Sequence, residues 1–559
     1  MGAIRGTVTG VALIAAAALA VAGCSASKNG STKTAAALPC FPKAASTPAS
    51  QAAAGTTAGA AGGTGKVTRT TAYASTPGNP AVAAGWTLPG ANLQNTRDVA
   101  SAITSANVST LGKAWSLSLP SEDSYATTSL VVNGVLYTQD VRSNVSAIRL
   151  ATGQVLWKHN YNSINGGPDG VTVANGVVYA ATDQDAVALN AATGRQLWGR
   201  KLIGNDHEGI DMAPGYNNGT VYVSTVPVNP NVGEYLGGAK GILWALNAST
   251  GAPEWTWDEV QNLWGNPGVN SGGGLWDPPS FDSQGNLYIG IANPGPLGGT
   301  AKYPWGTSRP GPDLYTDSVV KLSPQGKLLW YYQLTPHDLF DWDLQDSPVL
   351  TTVNGQQVVI DGGKAGILVE LNAQTGKLIW KLPVGVHNGH DNSSLLTENA
   401  KPAAHMPFPS RFCLEPGPFG GIESQLATNG STTFAAVNNL PVPFDNTGYR
   451  EPSAGTFSTA IAKATGEMIA VNQDTGKIIW DDKLPSTPYG AAAVTNDVVF
   501  TTTYNGYVYA FNTATGAVLL KLRLPAGSNA PVTISGDYVI AGTTLSLVKN
   551  SSIVAYKLG

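Results

Sequence analysis

One phrase recurs seven times along the chain: alternating apolar residues lead into Thr-Gly and then to a tryptophan. It reads Ala-Ile-Arg-Leu-Ala-Thr-Gly-Gln-Val-Leu-Trp at residues 147–157, and close copies occupy 188–198 and 370–380. The other copies end at Trp255, Trp330, Trp480 and Leu520. A unit this small buries its faces only against its neighbours, so the repeat governs the fold of the whole chain.

Each copy has the pattern of a strand, a tight turn and a returning outer strand that carries the tryptophan. The spacing from Thr152 to Thr193, and from Thr475 to Thr515, is about 40 residues, the length of a four-stranded propeller blade. Longer spacings predict inserted loops; they run from Thr193 to Thr250, from Gln325 to Thr375 and from Thr375 to Thr475.

The two ends of the repeat region complement each other. Residues 107–115 resemble an eighth copy without its earlier strands, whereas the last strands, around 532–538 and 552–557, have no phrase after them. Joining them completes one blade and leaves no free sheet edge. We therefore predict an all-β fold over residues 85–559, an eight-bladed β-propeller of four-stranded blades closed by its N- and C-terminal strands.

The N-terminal residues have the pattern of a targeting signal. Arg5 precedes an apolar run at 11–20 that is too short to span a bilayer, and the run ends in small residues before Cys24. This resembles a bacterial lipobox, so we expect residues 1–24 to be a lipoprotein signal peptide with Cys24 lipidated; an ordinary secretory cleavage is the alternative. Residues 25–84 are rich in Ala, Ser, Thr and Gly, which predicts a disordered tether. The expected location is extracytoplasmic, lipid-anchored to the bacterial cell membrane.

Composition excludes several classes of protein. Charged residues make up 12% of the chain and the net charge is −4 without Lys/Arg blocks, which argues against nucleic-acid binding. The sequence has no Cys-x-x-Cys-His, so it carries no c-type haem of its own. Cys40 and Cys413 remain after Cys24 is set aside, and whether they pair is left open.

Four motifs in one order carry a family resemblance. They are Gly-Gly-Gly-Leu-Trp at 272–276, Gly-Ile-Ala-Asn-Pro-Gly-Pro at 290–296, Thr-Pro-His-Asp-Leu-Phe-Asp-Trp-Asp at 335–343 and Gly-Gly-Lys-Ala-Gly-Ile-Leu at 362–368. Together with the segment 92–115, they resemble the pyrroloquinoline quinone (PQQ)-dependent alcohol and sugar dehydrogenases, whose fold is an eight-bladed propeller.

The resemblance implies a role for each of several residues. Trp276 would be the floor under the planar quinone, although it is also readable as a blade-packing tryptophan. Asn293 would ligate Ca²⁺ through its amide oxygen, or else cap its own turn. Asp341 would be the general base and a second metal ligand, with the solvated loop acid as the alternative. Lys364 would stand near the quinone oxygens, or in solvent, and Tyr489 would lie above the quinone.

The chain also departs from the family pattern. The third metal ligand is assigned to Glu234, with Asn229 as a rival, and there is no adjacent Cys-Cys pair. The family's early acidic contact is replaced around Ala126, and its early arginine contact around 169–170. Near Asp341, the neighbours His337, Asp338 and Asp343 are candidates to orient the loop through hydrogen bonds.

One further segment, with His387, His390 and Asp391, fits a transition-metal site or a polar loop over the channel mouth. Hydrolase and nucleotide motifs are missing from the sequence.

The resemblance implies an enzyme that oxidises an alcohol or sugar hydroxyl with PQQ and Ca²⁺ and passes electrons to a separate cytochrome or quinone. The alternative is a non-catalytic propeller scaffold for envelope assembly or ligand binding.

Overall fold

The computed structural model describes Cys40 and residues 86–120, 127–300, 302–387, 411–445, 460–543 and 551–559. Within these ranges the chain forms eight antiparallel four-stranded sheets, the blades of a β-propeller, as predicted. The innermost strands of blades 8 and 1 meet where the Thr533 hydroxyl donates to the Ser129 carbonyl at 2.6 Å. This contact closes the ring.

The strands of each blade are given from the channel outward. Blades 1 to 4 comprise Leu130–Val132, Val135–Gln139, Val145–Arg149 and Val155–His159; Thr172–Ala174, Val177–Ala181, Asp185–Asn190 and Gln196–Lys201; Gly215–Asn217, Thr220–Ser224, Ile242–Asn247 and Pro253–Asp258; and Ser280–Phe281, Leu287–Gly290, Ser318–Leu322 and Leu328–Gln333. Blades 5 to 8 comprise Val349–Val353, Gln356–Gly363, Ile367–Asn372 and Leu378–Pro383; Ala427–Thr428, Thr432–Asn439, Thr465–Asn472 and Lys477–Leu484; Ala493–Thr495, Val498–Thr503, Tyr507–Asn512 and Val518–Arg523; and Thr533–Ser535, Tyr538–Gly542, Ser552–Lys557 and Gly112–Ser118.

Two of the predicted inserted loops contain a short ribbon, and a further ribbon lies between Thr250 and Gln325. Three two-stranded ribbons pair Val228–Asn229 with Gly233–Glu234, Ser271–Gly272 with Pro294–Gly295, and Arg411–Leu414 with Val442–Asp445. Short 3₁₀ turns occupy Val108–Thr110 and Gln261–Gly265. Among the described residues, no helix has the length and apolarity needed to cross a bilayer.

Blade 8 is built from both ends of the chain. Gly112–Ser118 is its outermost strand and pairs antiparallel with Ser552–Lys557, so that Gly112 lies opposite Lys557 and Ser118 opposite Ser552. The prediction that the two termini complete one blade is confirmed.

The recurring tryptophan explains why the phrase repeats. Trp330 of blade 4 packs on Gly376 in the turn of blade 5, and its indole N–H donates to the Ala373 carbonyl at 3.2 Å. Gly376 has a φ of +69°, and a Cβ there would lie 2.6 Å from the indole ring, so both the turn and the ring require glycine. Equivalent indole bonds join Trp115 to Leu150, Trp157 to Ala191, Trp198 to Ala248, Trp255 to Pro324, Trp380 to Gln473 and Trp480 to Thr513.

The segment before the first strand crosses the channel. Its carbonyls accept backbone N–H groups from innermost strands on opposite sides of the ring: the Trp86 carbonyl from Val131, and the Gln94 carbonyl from Leu350. The Arg97 carbonyl accepts from Val494 of blade 7. Residues 86–97, here called the channel segment, therefore tie five blades together from inside, because Phe281 and Thr428 bond to the segment as well.

Blade topology gathers certain loops on one face. In a four-stranded antiparallel blade, the loop that enters the innermost strand and the loop between the second and third strands lie at the same end. The predicted site residues all come from such loops: Trp276, Asp341 and Tyr489 precede innermost strands, whereas Glu234, Asn293 and Lys364 follow second strands.

Candidate active site

The loop of Asp341 is held by its neighbour Asp338. The two carboxylate oxygens of Asp338 accept the backbone N–H groups of Phe340 and Trp342, each at 2.8 Å. Asp341 lies between those two residues with a φ of +62°, a left-handed conformation that is costly for a residue with a Cβ. Strain of this kind is typical of functional loops, and it indicates that surrounding contacts fix the direction of the Asp341 side chain.

A buried charge network supports the same loop. Arg309 is fully buried, pairs with Asp313 and donates to the Asp338 carbonyl at 2.7 Å. His337 is also buried, with Nδ1 3.2 Å from the Asp313 carboxylate. Burial raises the pKa of Asp338 to about 6, although its two backbone hydrogen bonds and Arg309 act in the opposite direction. His337 and Asp338 thus orient the loop, as the sequence suggested.

Lys364 connects two carboxylates of the site. Its Nζ lies 2.6 Å from Asp343 Oδ2 and 3.3 Å from Asp341 Oδ2. The backbone fixes this position, because Lys364 N donates to the Asp343 carbonyl at 3.0 Å and a Cβ on Gly363 would collide with that carbonyl. Burial opposes the charge of Lys364, but Asp341, Asp343 and Glu423 outweigh it and raise its pKa well above the ordinary value. Lys364 is therefore buried and charged, not a solvated turn residue.

Asn293 joins this cluster through Asp343. Its backbone N–H donates to Asp343 Oδ1 at 2.6 Å, and its Oδ1 accepts the Tyr235 hydroxyl at 2.7 Å. Asp341, Lys364, Asp343 and Asn293 thus form one continuous chain of polar contacts, here called the site cluster. The sequence predicted three of these residues in chemical roles, and the structure brings them together.

Glu234 lies one residue before the tyrosine that contacts Asn293, in the ribbon strand Gly233–Glu234. Its rival Asn229 is engaged elsewhere, because the Asn229 amide donates to the Asp206 carbonyl at 2.8 Å and its Oδ1 accepts the Asn231 N–H. This geometry favours Glu234 over Asn229.

Trp276 is attached to the same region by backbone bonds of the preceding glycines. Gly273 N donates to the Asn293 carbonyl at 3.1 Å, and Ala292 N donates to the Gly274 carbonyl at 3.0 Å. The Trp276 side chain is half-buried, and its indole N–H has no hydrogen-bond partner among the described residues. Each of the seven inter-blade tryptophans donates its indole N–H to a carbonyl in the turn of the next blade, but the Trp276 indole has no such bond among the described residues. This difference favours the prediction that Trp276 lies under the quinone over the alternative that it packs between blades.

Glu423 is a site residue that the sequence reasoning missed. Burial raises its pKa to about 8, and the nearby Lys364 acts in the opposite direction. Tyr489 lies on the same side: its hydroxyl donates to the Phe419 carbonyl at 2.8 Å, and burial and then Glu423 raise its pKa well above the ordinary value. The signal was present, since Glu423 lies in a loop that enters an innermost strand, as Trp276 and Asp341 do.

The structure describes some of the positions at which the chain departs from the family pattern. Asp169 is buried, and its pKa is raised well above the ordinary value by burial and then by Asp211, whose own pKa burial raises to about 7. An acidic pair thus lies at the place to which the resemblance assigned an arginine contact. Ala126, Cys24, His390 and Asp391 lie outside the described residues. His387 Nε2 is 2.9 Å from the Val384 carbonyl and 3.1 Å from the Gly366 carbonyl.

Metal binding at this site would depend on carboxylate and amide oxygens together. The described part of the chain contains no group of three or more His, Cys, Asp or Glu side chains placed to hold a metal ion. In the site cluster, Asp343 Oδ1 accepts the backbone N–H of Asn293, and Lys364 is the cation between Asp343 and Asp341. Hard oxygen donors of this kind suit Ca²⁺ when a ligand completes the shell.

Cys40 and Cys413 form a disulfide with a Cα–Cα separation of 5.4 Å, which answers the open question of their pairing. Cys413 lies in the ribbon strand Arg411–Leu414. The same strand packs Leu414 against Phe340 and Trp342 of the Asp341 loop, and the Trp342 indole donates to the Pro416 carbonyl at 3.1 Å. The disulfide therefore lies on the face that carries the site.

Comparison with known proteins identifies the class. Residues 86–411 match the PQQ family, described as glucose/ethanol/alcohol dehydrogenase, β-propeller domain. This match covers more than half of the chain, so the chain belongs to that family and is an enzyme of the quinoprotein dehydrogenase class, as the resemblance implied. Residues 463–557 match a second family, described as outer membrane protein assembly factor BamB.

Individual relatives agree with this assignment. A quinohemoprotein alcohol dehydrogenase of Comamonas testosteroni is 27% identical over 508 residues, covering 79% of this chain and 68% of the relative. Quinohemoprotein alcohol dehydrogenase ADH IIB of Pseudomonas putida is 25% identical over 482 residues, covering 76% and 67%. A putative dehydrogenase XoxF of Paracoccus denitrificans is 26% identical over 540 residues, covering 79% and 83%.

Solved structures share the fold. Quinohemoprotein alcohol dehydrogenase ADHIIG from Pseudomonas putida HK5 aligns with a TM-score of 0.73 at 22% identity, covering 85% of this chain and 80% of that one. The Comamonas testosteroni enzyme aligns with a TM-score of 0.71 at 24% identity, covering 86% and 81%. Likeness at this level of identity establishes the propeller fold alone.

Proposed function

We propose that this protein oxidises the hydroxyl group of a small alcohol or sugar with PQQ and Ca²⁺ bound between Trp276 and the site cluster. The site cluster carries the proposal, because it brings the candidate base, Asp341, and the candidate metal ligand, Asn293, into one connected network on one face of the ring. One loop that enters an innermost strand and the ends of two second strands converge to make it.

The residues present fit such a pair of ligands. Asp341 and Asp343 share one lysine, so the cluster keeps an excess of negative charge that a divalent cation would neutralise. Asn293 and Asp341 would hold the ion, with Glu234 as the third protein ligand. The half-buried face of Trp276 would support a planar ring, and Tyr489 would border it.

In the proposed reaction, Asp341 accepts the proton of the substrate hydroxyl at a carboxylate oxygen. Bound PQQ supplies the carbon that accepts the hydride. Lys364 remains protonated throughout, because three acidic neighbours hold its charge, and it limits the negative charge of Asp341 and Asp343. Asp338 keeps the Asp341 loop in its strained conformation, so that the base needs no reorganisation when substrate binds.

The wider setting is also part of the proposal. Residues 1–24 and 25–84 would serve as lipoprotein signal and tether, with Cys24 lipidated and the ring outside the cytoplasm. A protein disulfide suits that compartment. Because the sequence has no haem-attachment motif, electrons would pass to a separate cytochrome or membrane quinone.

The proposal is tested with the purified protein that retains Cys40 and its disulfide. PQQ and Ca²⁺ are added, and the bound quinone spectrum and dye reduction are followed with a panel of alcohols and sugars. Asp341→Asn should retain the bound spectrum while kcat falls about 10²- to 10⁴-fold, the usual contribution of a general base. Asp537→Asn, at an exposed position, serves as the matched control. Full turnover by Asp341→Asn would remove Asp341 from the mechanism.

A scaffold role is the second candidate, and the match of residues 463–557 to an assembly factor favours it. The buried acids near Asp169, where the family has a cation, would also weaken the binding of an anionic quinone. Failure of the purified ring to take up PQQ at micromolar concentration with Ca²⁺ would favour this alternative.

A further inference from the structure

Glu259 closes the loop that carries Trp276. It follows the outermost strand of blade 3, and its Oε2 accepts the backbone N–H of Gly274, 15 residues further along the chain. The adjacent Gly273 N donates to the Asn293 carbonyl at 3.1 Å. The bond from Glu259 therefore fastens the loop two residues before Trp276, at the point where the loop also contacts the backbone of the candidate metal ligand.

The Glu259 carboxyl group is enclosed by backbone. Its side chain is fully buried, and a Cβ would lie 2.2 Å from Oε2 if placed on Gly241 and 3.2 Å from it if placed on Gly273. The lysine next to Gly241, Lys240, forms its ion pair with Asp258. A carboxylate ion in such surroundings is far more costly than a neutral carboxylic acid.

The contacts of Ser224 call for a proton on Glu259. Ser224 Oγ lies 2.7 Å from Glu259 Oε1 and 2.8 Å from the Thr225 carbonyl oxygen. Both are hydrogen-bond distances between oxygens, so two hydrogens are needed. A serine hydroxyl supplies one, and a carbonyl oxygen supplies none. When Ser224 donates to Thr225, the second hydrogen has to come from a protonated Glu259.

We propose that Glu259 is a neutral carboxylic acid at neutral pH and, in this form, a positioning residue of the cofactor site. Its Oε1 carries the proton and donates it to Ser224 Oγ, while its Oε2 accepts the Gly274 N–H. The two bonds keep the loop 259–274 closed and hold Trp276 in place. The positioning role rests on the proposed function, whereas the protonation of Glu259 does not.

The electrostatic surroundings agree with a neutral acid. Burial raises the pKa of Glu259 to about 8, although its bonds to Ser224 and Gly274 act in the opposite direction. The neighbouring carboxylate of Asp258 adds to the increase.

The protonation is tested by infrared spectroscopy of the cofactor-free full chain at pH 7, because a protonated carboxyl group has a C=O stretch that carboxylates lack. Glu259→Gln should remove one such band from the spectrum of the unchanged protein. Glu254→Gln is the matched control and should remove none: Glu254 lies on the preceding strand and also accepts a hydroxyl, from Thr220 at 3.0 Å, but it is exposed.

Ser224→Ala should shift the same band without removing it, because the acid keeps its proton and loses the acceptor. A spectrum in which Glu259→Gln removes no band, or in which Ser224→Ala leaves the band unshifted, overturns the assignment.

The positioning role is tested by hydrogen exchange of the backbone amides at 272–276 in the same cofactor-free chain. Glu259→Met, which keeps the length and removes both bonds, should raise the exchange rate about tenfold, the equivalent of one lost hydrogen bond. Glu259→Gln should restore slow exchange, because its amide donates to Ser224 while its oxygen accepts the Gly274 N–H. Equal exchange in the two variants refutes the role. If Glu259→Met does not fold, the infrared comparison still decides the protonation and Glu259→Gln alone is judged by its exchange: rapid exchange counts against the role, and slow exchange supports it.

Uptake of PQQ with Ca²⁺ separates this inference from the proposed function. Glu259→Met should bind PQQ about tenfold more weakly than the unchanged protein, whereas Glu254→Gln should bind it equally. Equal affinity of Glu259→Met and the unchanged protein overturns the positioning role and leaves the dehydrogenase proposal intact. An unchanged protein that takes up no PQQ contradicts the dehydrogenase proposal, while the infrared and exchange results still decide the state of Glu259.

Discussion

At the residue scale, the site is defined by carboxylates that outnumber their cations. Lys364 forms ion pairs with both Asp341 and Asp343, and it also interacts electrostatically with Glu423. Removing one partner from a buried ionic group is far more costly than the net value of the group, because the remaining charge stays desolvated. Lys364 is therefore a structural requirement of the site as well as a chemical one.

We predict that Lys364→Met lowers the free energy of unfolding by about 3–5 kcal/mol, the usual cost of leaving a buried charge uncompensated. Denaturant unfolding in metal-free buffer measures this change. Lys364→Arg, which keeps the charge, is the matched variant and should lose much less. Added Ca²⁺ should stabilise Lys364→Met more than the unchanged protein, since the ion replaces the missing positive charge. Equal stabilisation of the two proteins would contradict a metal site at these acids.

At the element scale, neighbouring blades are joined by an indole that crosses to the next turn. Trp330 combines a hydrogen bond to Ala373 with packing on Gly376, and six other tryptophans do the same around the described ring. Leu520 occupies the corresponding place in blade 7, where the outer strand faces the blade that closes the ring. The seam between blades 7 and 8 therefore lacks this indole bond.

Trp330→Ala should lower the free energy of unfolding by about 3 kcal/mol, because it removes both packing area and the hydrogen bond to Ala373. Leu329→Ala, at the adjacent residue that is 46% exposed, is the control and should change the free energy by no more than about 0.5 kcal/mol. Denaturant unfolding followed by tryptophan fluorescence and circular dichroism reports both. If the two variants have the same stability, the indole does not join the blades.

The disulfide makes a separate prediction for the ribbon that packs on the Asp341 loop. Cys40→Ser and Cys413→Ser should each lower the free energy of unfolding by about 2–5 kcal/mol, and by equal amounts, because either change breaks the same bond. Chemical unfolding with and without reductant measures the difference. Thiol titration of the unfolded, unreduced chain should find neither Cys40 nor Cys413, and a reactive thiol at either would disprove the pairing.

The repeating elements were predictable from sequence, but the polar pairing at their ends was not. The Thr-Gly-to-Trp phrase specifies strand, turn and packing together, so the eight blades and the closing strand Gly112–Ser118 followed from spacing alone. Asp341, Asn293 and Lys364 were found through motif wording. Glu423 was missed because its importance depends on loops from adjacent blades meeting beside Lys364, and no local pattern encodes that meeting.

At the scale of the whole molecule, the propeller encloses several acidic side chains. Burial raises the pKa of Asp211 and Asp277 to about 7 and that of Glu259 and Glu423 to about 8. In the unfolded chain such groups ionise near pH 4. The folded state therefore binds more protons than the unfolded state between about pH 4 and 8, and its stability falls as pH rises through this window.

We expect the free energy of unfolding in metal-free buffer to be larger at pH 5 than at pH 8 by at least about 2 kcal/mol. Glu259→Gln isolates one contributor, since Glu259 is fully buried and its Oε1 lies 2.7 Å from Ser224 Oγ. That variant should reduce the slope of the free energy of unfolding against pH by up to the contribution of one proton, which is about 1.4 kcal/mol per pH unit. Stability that rises from pH 5 to 8 would mean that these acids are ionised in the native state.

Because its outermost closing strand precedes all the other blades in sequence, the molecule cannot be finished in the order in which it is synthesised. Gly112–Ser118 emerges early, yet its partner Ser552–Lys557 emerges last. Until then, blades 1 to 7 form an open horseshoe with two unprotected flanks. A nascent chain of this kind needs shielding until the ring closes, and loss of the strand Ser552–Lys557 leaves the horseshoe permanently unclosed.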